Sequence, residues 1–420
     1  MILENQKATF GSDYDSESFV NVRQITELWM KDQLKEDLFE LYSLQNKVSE
    51  PIKIGNSKSL IAALNYLDSQ CEKIDIDTEV RNVYLDKMLD NEKAIFDILG
   101  INDKFILDKN KSSDLLKTET AYSAKNDLLD IFSLSKFANY CNGNEYEDLI
   151  EKINTYLKDK NITNTNPLKL RLVYRNEDGK FFIRAYTSAN GYKDFGINFS
   201  IFVALMAINK YTTRTKEEFF VDNYIINDSK LYISFRKKNE VELNKNLSLR
   251  FGLTLENDEI KRNAVSFNGV FTLVYKKGDR QSEVAVRPKG MKSDEESFPT
   301  DLLTYRHQGK VETVLEKVEK LPVLIEKYIS QISKEAKDIT EKKNPDSIRE
   351  LIAKKIKDGR KSEFKPHKQE VLNELNKIKV DNMFKLFELL GSIEKLFDQE
   401  DVVSVDYWRS KLYEALIEKK

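Results

Sequence analysis

The densest β-pattern in the chain reads NLSLRFGLTLENDEIKRNAVSFNGVFTLVYKKGDRQSEVAVRPKG, residues 246–290. Apolar and polar residues alternate over 247–255, 264–275 and 283–287, which is the period of a strand with one buried face. An acidic turn and then FPTDLLTYRHQGK, residues 298–310, follow this stretch. We therefore predict three strands that lead into a strand-to-helix junction.

Further strands and one apolar segment precede this stretch. Four β-rich segments are joined in pairs by turns: residues 168–174, 181–186, 219–226 and 231–235. Between the two pairs, GINFSIFVALMAINKY (residues 196–211) is apolar on nearly all sides and has the length of a helix. Such a segment has to be buried between layers. Residues 165–305 are thus predicted to form a basic α+β domain with an antiparallel sheet and a buried helix.

The first 160 residues show apolar spacings of three and four, which favour helices. Leu60, Ile61 and Leu64 follow Ser57, a residue type that caps helix N-termini, and Gly100 stands where a C-terminal cap glycine belongs. We therefore predict an acidic all-helical domain over residues 1–160.

The last part of the chain, residues 309–420, is again helical in its periodicity. Apolar residues from Val311 to Ile332 fall at coiled-coil spacing, and Pro322 is expected to kink or divide this run. An intramolecular antiparallel hairpin and an oligomeric coiled coil both fit the pattern. The predicted fold class is therefore α+β, with a helical hairpin or bundle at the C-terminal end and a possible homo-oligomer.

Composition excludes several classes of protein. Apolar residues make up 40% of 420 residues, and 23 Phe and 19 Tyr are too many for a disordered chain. Two Cys and two His cannot build a disulfide framework or a histidine-rich metal site, so no cofactor is predicted. No apolar run approaches the ~20 residues of a membrane span, and the first residues lack signal-peptide features. A cytoplasmic protein is expected, in the bacterial host cytoplasm if it is phage-encoded.

Charge is distributed unevenly along the chain. Residues 1–150 contain 17 Lys and Arg against 28 Asp and Glu, whereas residues 151–300 contain 26 against 19. The basic part could contact phosphates, and the acidic part could contact a basic protein or pair with the basic part. Ordinary surface variation explains the same numbers.

A basic constellation in the central domain is the first candidate site. It consists of Arg236, Lys237, Lys238, Arg250, Lys261, Arg262, Lys276, Lys277, Arg280, Arg287 and Lys289, which recur at strand ends and turns. Aromatic residues lie among them: Tyr232, Phe235, Phe251, Phe267, Phe271 and Tyr275. Cations neutralise phosphates and exposed rings stack on bases, so this pairing predicts nucleic-acid binding. In the alternative interpretation, the rings pack the core and the lysines solvate turns.

Two other groups could carry chemistry. Glu256, Asp258 and Glu259 could hold Mg²⁺ for a nuclease, although a solvated turn is the ordinary role of such a cluster. His307 could act as a general base or make a structural hydrogen bond. Phosphate-binding glycine loops and the CxxC and GxSxG patterns are absent from the sequence. A non-enzymatic protein is therefore predicted, with a metal-dependent nuclease as the minor possibility.

The central third of the chain resembles a phage- and plasmid-like family of proteins that carry a domain of unknown function. The resemblance lies in three segments: Arg184-Ala185-Tyr186-Thr187-Ser188 with Tyr192, Asn257-Asp258-Glu259-Ile260, and Arg306-His307-Gln308-Gly309. A further family pattern with arginine, cysteine and glycine is not matched by residues 272–275. The resemblance implies a mobile-element origin and names no activity.

Two functions from different classes follow from these observations. The first is a non-enzymatic nucleic-acid-binding protein of a phage or mobile element that acts in DNA replication, recombination or protection, with DNA preferred over RNA as partner. The second is an interaction or assembly protein, either an inhibitor of a host system or a scaffold, that binds a protein partner through its acidic N-terminal domain.

Overall fold

The structure is a computed structural model. It describes residues 2–11, 15, 18–28, 30, 32–89, 93–111, 113–161, 163–189, 195–260, 264–288, 291–292, 297–298, 302–307, 310–336, 339, 344–359, 364–397 and 402–417.

The helices in these ranges are α1 (Val22–Thr26), α2 (Asp32–Leu41), α3 (Ser57–Gln70), α4 (Lys104–Lys109), α5 (Ala124–Asp130), α6 (Ser135–Gly143), α7 (Glu147–Asn161), α8 (Ile197–Thr215), α9 (Val311–Ala336), α10 (Pro345–Asp358), α11 (Lys368–Lys377), α12 (Met383–Glu394) and α13 (Val402–Leu416).

The strands are β1 (Gln6–Thr9), β2 (Val20–Asn21), β3 (Pro51–Ile52), β4 (Ile54–Gly55), β5 (Cys71–Glu79), β6 (Val83–Met88), β7 (Ala94–Ile98), β8 (Leu116–Thr120), β9 (Pro167–Arg175), β10 (Lys180–Ser188), β11 (Phe219–Ile226), β12 (Lys230–Lys237), β13 (Val241–Asn244), β14 (Leu247–Asp258), β15 (Val265–Lys277), β16 (Arg280–Val286), β17 (Met291–Lys292), β18 (Ser297–Phe298) and β19 (Leu303–Tyr305).

The large sheet is built on the stretch that showed the densest β-pattern. Its strands follow the order β1-β11-β12-β14-β15-β16, all antiparallel, with β4, β13 and β19 added at its margins. The long pair β14 and β15 sets the register, with Phe251 opposite Phe271. The sheet curves into a half-barrel.

Helix α8 fills the inner side of this half-barrel. Its residues are buried from Ile197 to Ile208, and it packs against β14 and α9. Tyr211 of α8 makes an edge-to-face contact with Phe219 of β11, which in turn contacts Phe251 of β14. A helix that is apolar on nearly every side needs neighbours on every side, and the curved sheet with α9 provides them.

A second, smaller sheet contains six strands in the order β5-β9-β10-β8-β7-β6, with one parallel pair, β8 and β10. Strands β9 and β10, which the sequence groups with the central domain, pair here rather than in the large sheet. The structure is α+β and has the expected large antiparallel sheet. The predicted all-helical domain over residues 1–160 is wrong, because four strands of the small sheet and strands β1 and β4 of the large sheet lie within it.

The reason for this error is a competition between two spacings. In β6 and β7, Val83 and Leu85 are buried, and so are Ala94, Phe96 and Ile98, which is a spacing of two. Other apolar residues of the same segment complete spacings of three and four, so short strands imitate a helical pattern. Gly100 has a φ of +68°, but it follows strand β7 rather than a helix.

The C-terminal helices pack against the edge of the large sheet. Helix α9 runs through Pro322 without ending there, and its apolar face lies in the same core as α8. Helices α12 and α13 contact β16, and α10 packs on α11 and α13. No helix within the described ranges is both long enough and apolar enough to cross a membrane.

Candidate functional site

The large sheet has a polar outer face, which is the face turned away from α8. Side chains alternate across a strand. In β12, Leu231, Ile233 and Phe235 are buried in the core, so Tyr232 and Arg236 project from the opposite side. The outer face therefore carries half-buried polar side chains in the middle of a long sheet.

A groove of about 880 Å³ lies over this outer face, and the C-terminal helices form one of its walls. Its polar lining comes from three distant parts of the chain: Lys7 and Thr9 of β1, then Asn223, Tyr232, Thr272 and Glu283 of the sheet, and Glu394, Lys395 and Arg409 at the C-terminal helices. We call this feature the outer groove.

Arg409 of α13 lies across the outer groove and is held by two partners. Its Nη2 donates to Glu394 Oε1 over 2.7 Å. Burial alone would lower the pKa of Arg409, but the Glu394 carboxylate and the Tyr232 hydroxyl raise it above its usual value. Burial also raises the pKa of Tyr232. Arg409 therefore stays charged, and Tyr232 stays a neutral ring on the groove floor.

Two more arginines of the outer face belong to ion pairs. Arg236 Nη2 lies 2.9 Å from Asp222 Oδ1, and Arg250 Nη2 lies 2.6 Å from Glu240 Oε1. Burial opposes ionisation of Glu240, but hydrogen bonds from Ser248, Lys276 and Arg250 lower its pKa to about 2. These pairs fix the side chains in place and balance most of their charge.

The charged residues of the groove lining are three cations and two carboxylates. Arg409 is balanced by Glu394, and Glu283 is bonded to Arg250. Lys7 and Lys395, both exposed, are the other cations in the lining. The lining thus contains one more cation than carboxylates.

The structure separates the predicted cations into several groups. Arg236, Arg250 and Arg287 lie on the outer face, and Arg287 pairs with Asp406 of α13. Lys237 is buried beside Glu217, and Lys238 pairs with Glu218 at the sheet margin.

The hairpin between β15 and β16 holds a second group. Lys276 bonds Glu240, Lys277 is exposed, and the Arg280 guanidinium lies over the Phe384 ring. Lys261, Arg262 and Lys289 lie outside the described residues. The predicted cations thus do not converge on one surface among the positions that the structure describes.

The predicted aromatic residues divide between the core and the surface. Phe235, Phe251, Phe267 and Phe271 are buried in the main core. Tyr232 lines the outer groove, and Tyr275 is partly buried against Phe387. Of the six rings, Tyr232 is the one placed on the groove floor.

A buried ionic cluster joins the two sheets at Glu259. Its carboxylate accepts from Arg184 Nη1 over 2.6 Å, from Lys73 Nζ over 3.1 Å and from the Ile197 main-chain N–H over 2.8 Å. Arg171 of the small sheet donates to the Glu259 main-chain oxygen over 2.5 Å. Burial alone would raise the pKa of Glu259, but these cations lower it well below its usual range. A cavity of about 140 Å³ lies beside the cluster.

The described residues of the three segments that carry the family resemblance meet around this cluster, whereas Tyr192, Gln308 and Gly309 lie outside the described residues. Arg184 bonds Glu259, and the neighbouring Asn257 donates to the Phe195 main-chain oxygen and to Ser200 Oγ. His307 is buried, with Nε2 3.1 Å from Asn257 Oδ1. This is the geometry of a structural junction, in which His307 fixes an asparagine.

The carboxylates proposed for a nuclease site have separate partners. Glu256 accepts from Asn268, Asp258 accepts from the Ile260 N–H, and Glu259 belongs to the ionic cluster. Among the residues that the structure describes, no group of three or more His, Cys, Asp or Glu side chains is arranged to hold a metal ion.

A second surface feature is a set of exposed aromatic and apolar side chains on α6, on the connection after it and on α7. Tyr140 is 59% exposed and Tyr146 is 46% exposed, with ring centroids 6.2 Å apart. Phe137 and Leu149 lie one helical turn from them and are also exposed. We call these four residues the tyrosine patch. Exposed carboxylates border it on α7 and the preceding turn: Glu145, Asp148 and Glu151.

Several residues of the outer groove could not be identified from the sequence. Lys7, Lys395 and Arg409 lie in segments that look like ordinary polar turns and amphipathic helices. Their convergence depends on β1 pairing with β11 and on α13 lying against β16. A comparison of the chain with protein-family models, with curated proteins and with solved structures gives no match.

Proposed function

We propose that this protein binds nucleic acid, DNA in preference to RNA, in the outer groove and performs no chemistry on it. The observation that carries this proposal is the groove itself, which combines a tyrosine ring on its floor with lysines at its sides. Rings stack on bases and lysines neutralise phosphates. A role in replication, recombination or protection, and the origin from a phage or mobile element, remain part of the proposal.

An ion pair in the groove lining supports this assignment. An arginine held by a carboxylate keeps further N–H groups in fixed directions, and fixed donors lose little freedom when a ligand binds. Arg409, which lines the groove, is held in this way by Glu394. This arginine therefore suits hydrogen bonding to bases and sugars, while Lys7 and Lys395 suit the backbone.

The test is equilibrium binding of fluorescent DNA and RNA oligonucleotides to the full chain at about 50 mM salt, followed by a salt titration. Reversing both rim charges, Lys7→Glu with Lys395→Glu, should weaken binding about 10-fold or more and reduce the salt slope by about 2. The matched control reverses two exposed lysines elsewhere, Lys152→Glu with Lys180→Glu, and should leave affinity nearly unchanged. No binding to any oligonucleotide overturns the proposal.

The tyrosine patch favours a second function, docking of a protein partner. Contiguous exposed rings mark interaction surfaces, and the carboxylates around these rings favour a partner that presents lysine or arginine beside apolar residues. Two copies of the patch would bring like charges together, so self-pairing through it is disfavoured.

The probe for this function is a labelled amphipathic peptide with a leucine face and lysine flanks, compared with the same peptide carrying glutamate flanks. Tyr140→Ser with Tyr146→Ser should weaken binding of the lysine peptide about 10-fold. Tyr66→Ser, an equally exposed tyrosine on α3, should not. Equal binding of both peptides, or no binding, contradicts this function.

A further inference from the structure

We infer that the outer groove takes a single strand of nucleic acid, with its bases turned toward the sheet, and excludes a duplex. This inference rests on the proposed function, because it specifies which form of nucleic acid the same groove binds. It is carried by the way in which α12 and α13 are fixed against β16 and by Tyr232, which lines the same groove as Lys7 and Lys395.

The helical wall of the groove is attached to the sheet through the main chain. The Arg287 N–H donates to the Arg409 carbonyl oxygen over 3.1 Å, and the Arg287 side chain pairs with Asp406. At Gly391 of α12, an added Cβ would lie 2.8 Å from the Glu283 carbonyl oxygen. The helix and strand are therefore in direct contact, and the groove cannot widen on this side without breaking these contacts.

The size of the groove suits a short single-stranded segment. Its volume of about 880 Å³ is near the upper end of the ~300–1,000 Å³ typical of ligand pockets. In a duplex, the base edges lie inside the DNA grooves, and a protein reaches them with a helix or a β-ribbon that enters such a groove. The floor here lies between β1 and the C-terminal helices, so a duplex cannot bring its bases to it. A single strand can splay its bases into such a space.

The chemistry of the groove fits this orientation of the strand. Lys7 and Lys395 are exposed at the sides, where phosphates remain solvated. Tyr232 and Thr272 are partly buried on the floor, where a ring can stack on a base and a hydroxyl can contact its edge. Asn223, also in the lining, adds a donor and an acceptor.

The experiment compares one labelled oligonucleotide as a single strand and annealed into a blunt duplex, by fluorescence anisotropy with the full chain at about 50 mM salt. The single strand should bind at least 10-fold tighter than the duplex. Tyr232→Leu, which removes the ring, should weaken single-strand binding about 10-fold, whereas Tyr232→Phe, which keeps it, should retain most of the affinity. Thermal unfolding of each variant establishes that it is folded.

The outcomes separate this inference from the proposed function. Equal or tighter binding of the duplex overturns the inference and leaves nucleic-acid binding standing. No binding of either form overturns both. Full single-strand affinity in folded Tyr232→Leu overturns the orientation of the bases toward the sheet. If that variant is unfolded, a bromodeoxyuridine oligonucleotide is photocrosslinked to the wild-type chain to test the orientation of the bases. Crosslinks at other residues and none at Tyr232 overturn the orientation of the bases toward the sheet.

Discussion

Glu259 shows how one carboxylate can be held in a protein interior. It receives hydrogen bonds from Arg184, Lys73 and the Ile197 main chain, and it lies between the two sheets. A buried charge is tolerated when it is paired and hydrogen-bonded, and removing one partner leaves the others uncompensated.

Glu259→Gln should lower the free energy of unfolding by about 3–5 kcal/mol at neutral pH, because Arg184 and Lys73 then lose their common counter-charge. The folded pKa of Glu259 is lowered below its unfolded value of about 4.3. The ionised Glu259 therefore stabilises the folded protein in full at pH values above its unfolded pKa. This stabilisation is lost as the pH falls through the pKa that Glu259 has in the folded protein. Urea unfolding should show the difference between wild type and variant shrinking in acid.

The control for this prediction is Glu177→Gln, which neutralises an exposed carboxylate on the turn between β9 and β10. It should change the free energy of unfolding by no more than about 0.5 kcal/mol at any pH. If the two variants behave alike, the buried cluster contributes no stability of its own.

At the scale of elements, the contact between α12 and β16 shapes one side of the outer groove. Gly391 permits it, since any Cβ at this position would meet the Glu283 carbonyl oxygen at 2.8 Å. The closest atom is main chain rather than a flexible side chain, so neither partner can move aside without shifting a whole element.

Gly391→Ala should destabilise the protein by about 1–3 kcal/mol, because the helix has to move off the strand. In an unobstructed helix the same change would stabilise by up to about 1 kcal/mol. Gly143→Ala in α6, with nothing within 4 Å of the added Cβ, is the matched control and should be neutral or stabilising. Thermal unfolding of both variants measures the difference, and a stabilised Gly391→Ala would contradict the close contact.

The long strands of the large sheet, β11, β12, β14 and β15, could be predicted from the sequence because each has a long buried face, whereas the short strands β1 and β4 were missed. The β-rich segment at residues 219–226 has the bounds of β11, and the apolar run from residue 196 marks α8. Strands β5–β8 could not be predicted, because segments of five to nine residues satisfy spacings of two and of three at once.

At the scale of the whole molecule, Asp228 connects the N-terminal segment, the small sheet and the large sheet. Its Oδ1 accepts from the Leu3 N–H over 3.1 Å, and its Oδ2 accepts from the Tyr122 hydroxyl over 2.6 Å. Arg184 donates to its main-chain oxygen over 3.0 Å. The two sheets are thus joined by polar contacts that neither could satisfy alone.

Asp228→Ala should weaken this connection between the sheets, because the Leu3 N–H and the Tyr122 hydroxyl lose their acceptor. We expect a loss of about 1–3 kcal/mol in the free energy of unfolding and faster hydrogen exchange in β1. Asp279→Ala, at the exposed tip of the hairpin between β15 and β16, should do neither. Unchanged exchange in β1 of Asp228→Ala would contradict this role.

The outer groove could be predicted only in part, because it is formed by segments that are distant in the sequence. Tyr232 was among the predicted aromatic residues and lines the groove, whereas the predicted cations Arg236, Arg250 and Arg287 lie on the outer face outside its lining. Lys7 and Arg409 join that face through pairings between the two ends of the chain. Local periodicity reports which side of a strand is buried, but it does not report which distant segment will lie over the other side.

The most direct test of the account is a photocrosslink between a single-stranded oligonucleotide that carries iodouracil and the full-length protein, with adducts located by mass spectrometry. If the outer groove binds nucleic acid, the adducts should fall on Tyr232 and on peptides of β1 and the end of α12, and high salt should abolish them. Adducts confined to Lys276, Lys277 and Arg280, or the absence of any adduct, would contradict binding in the groove.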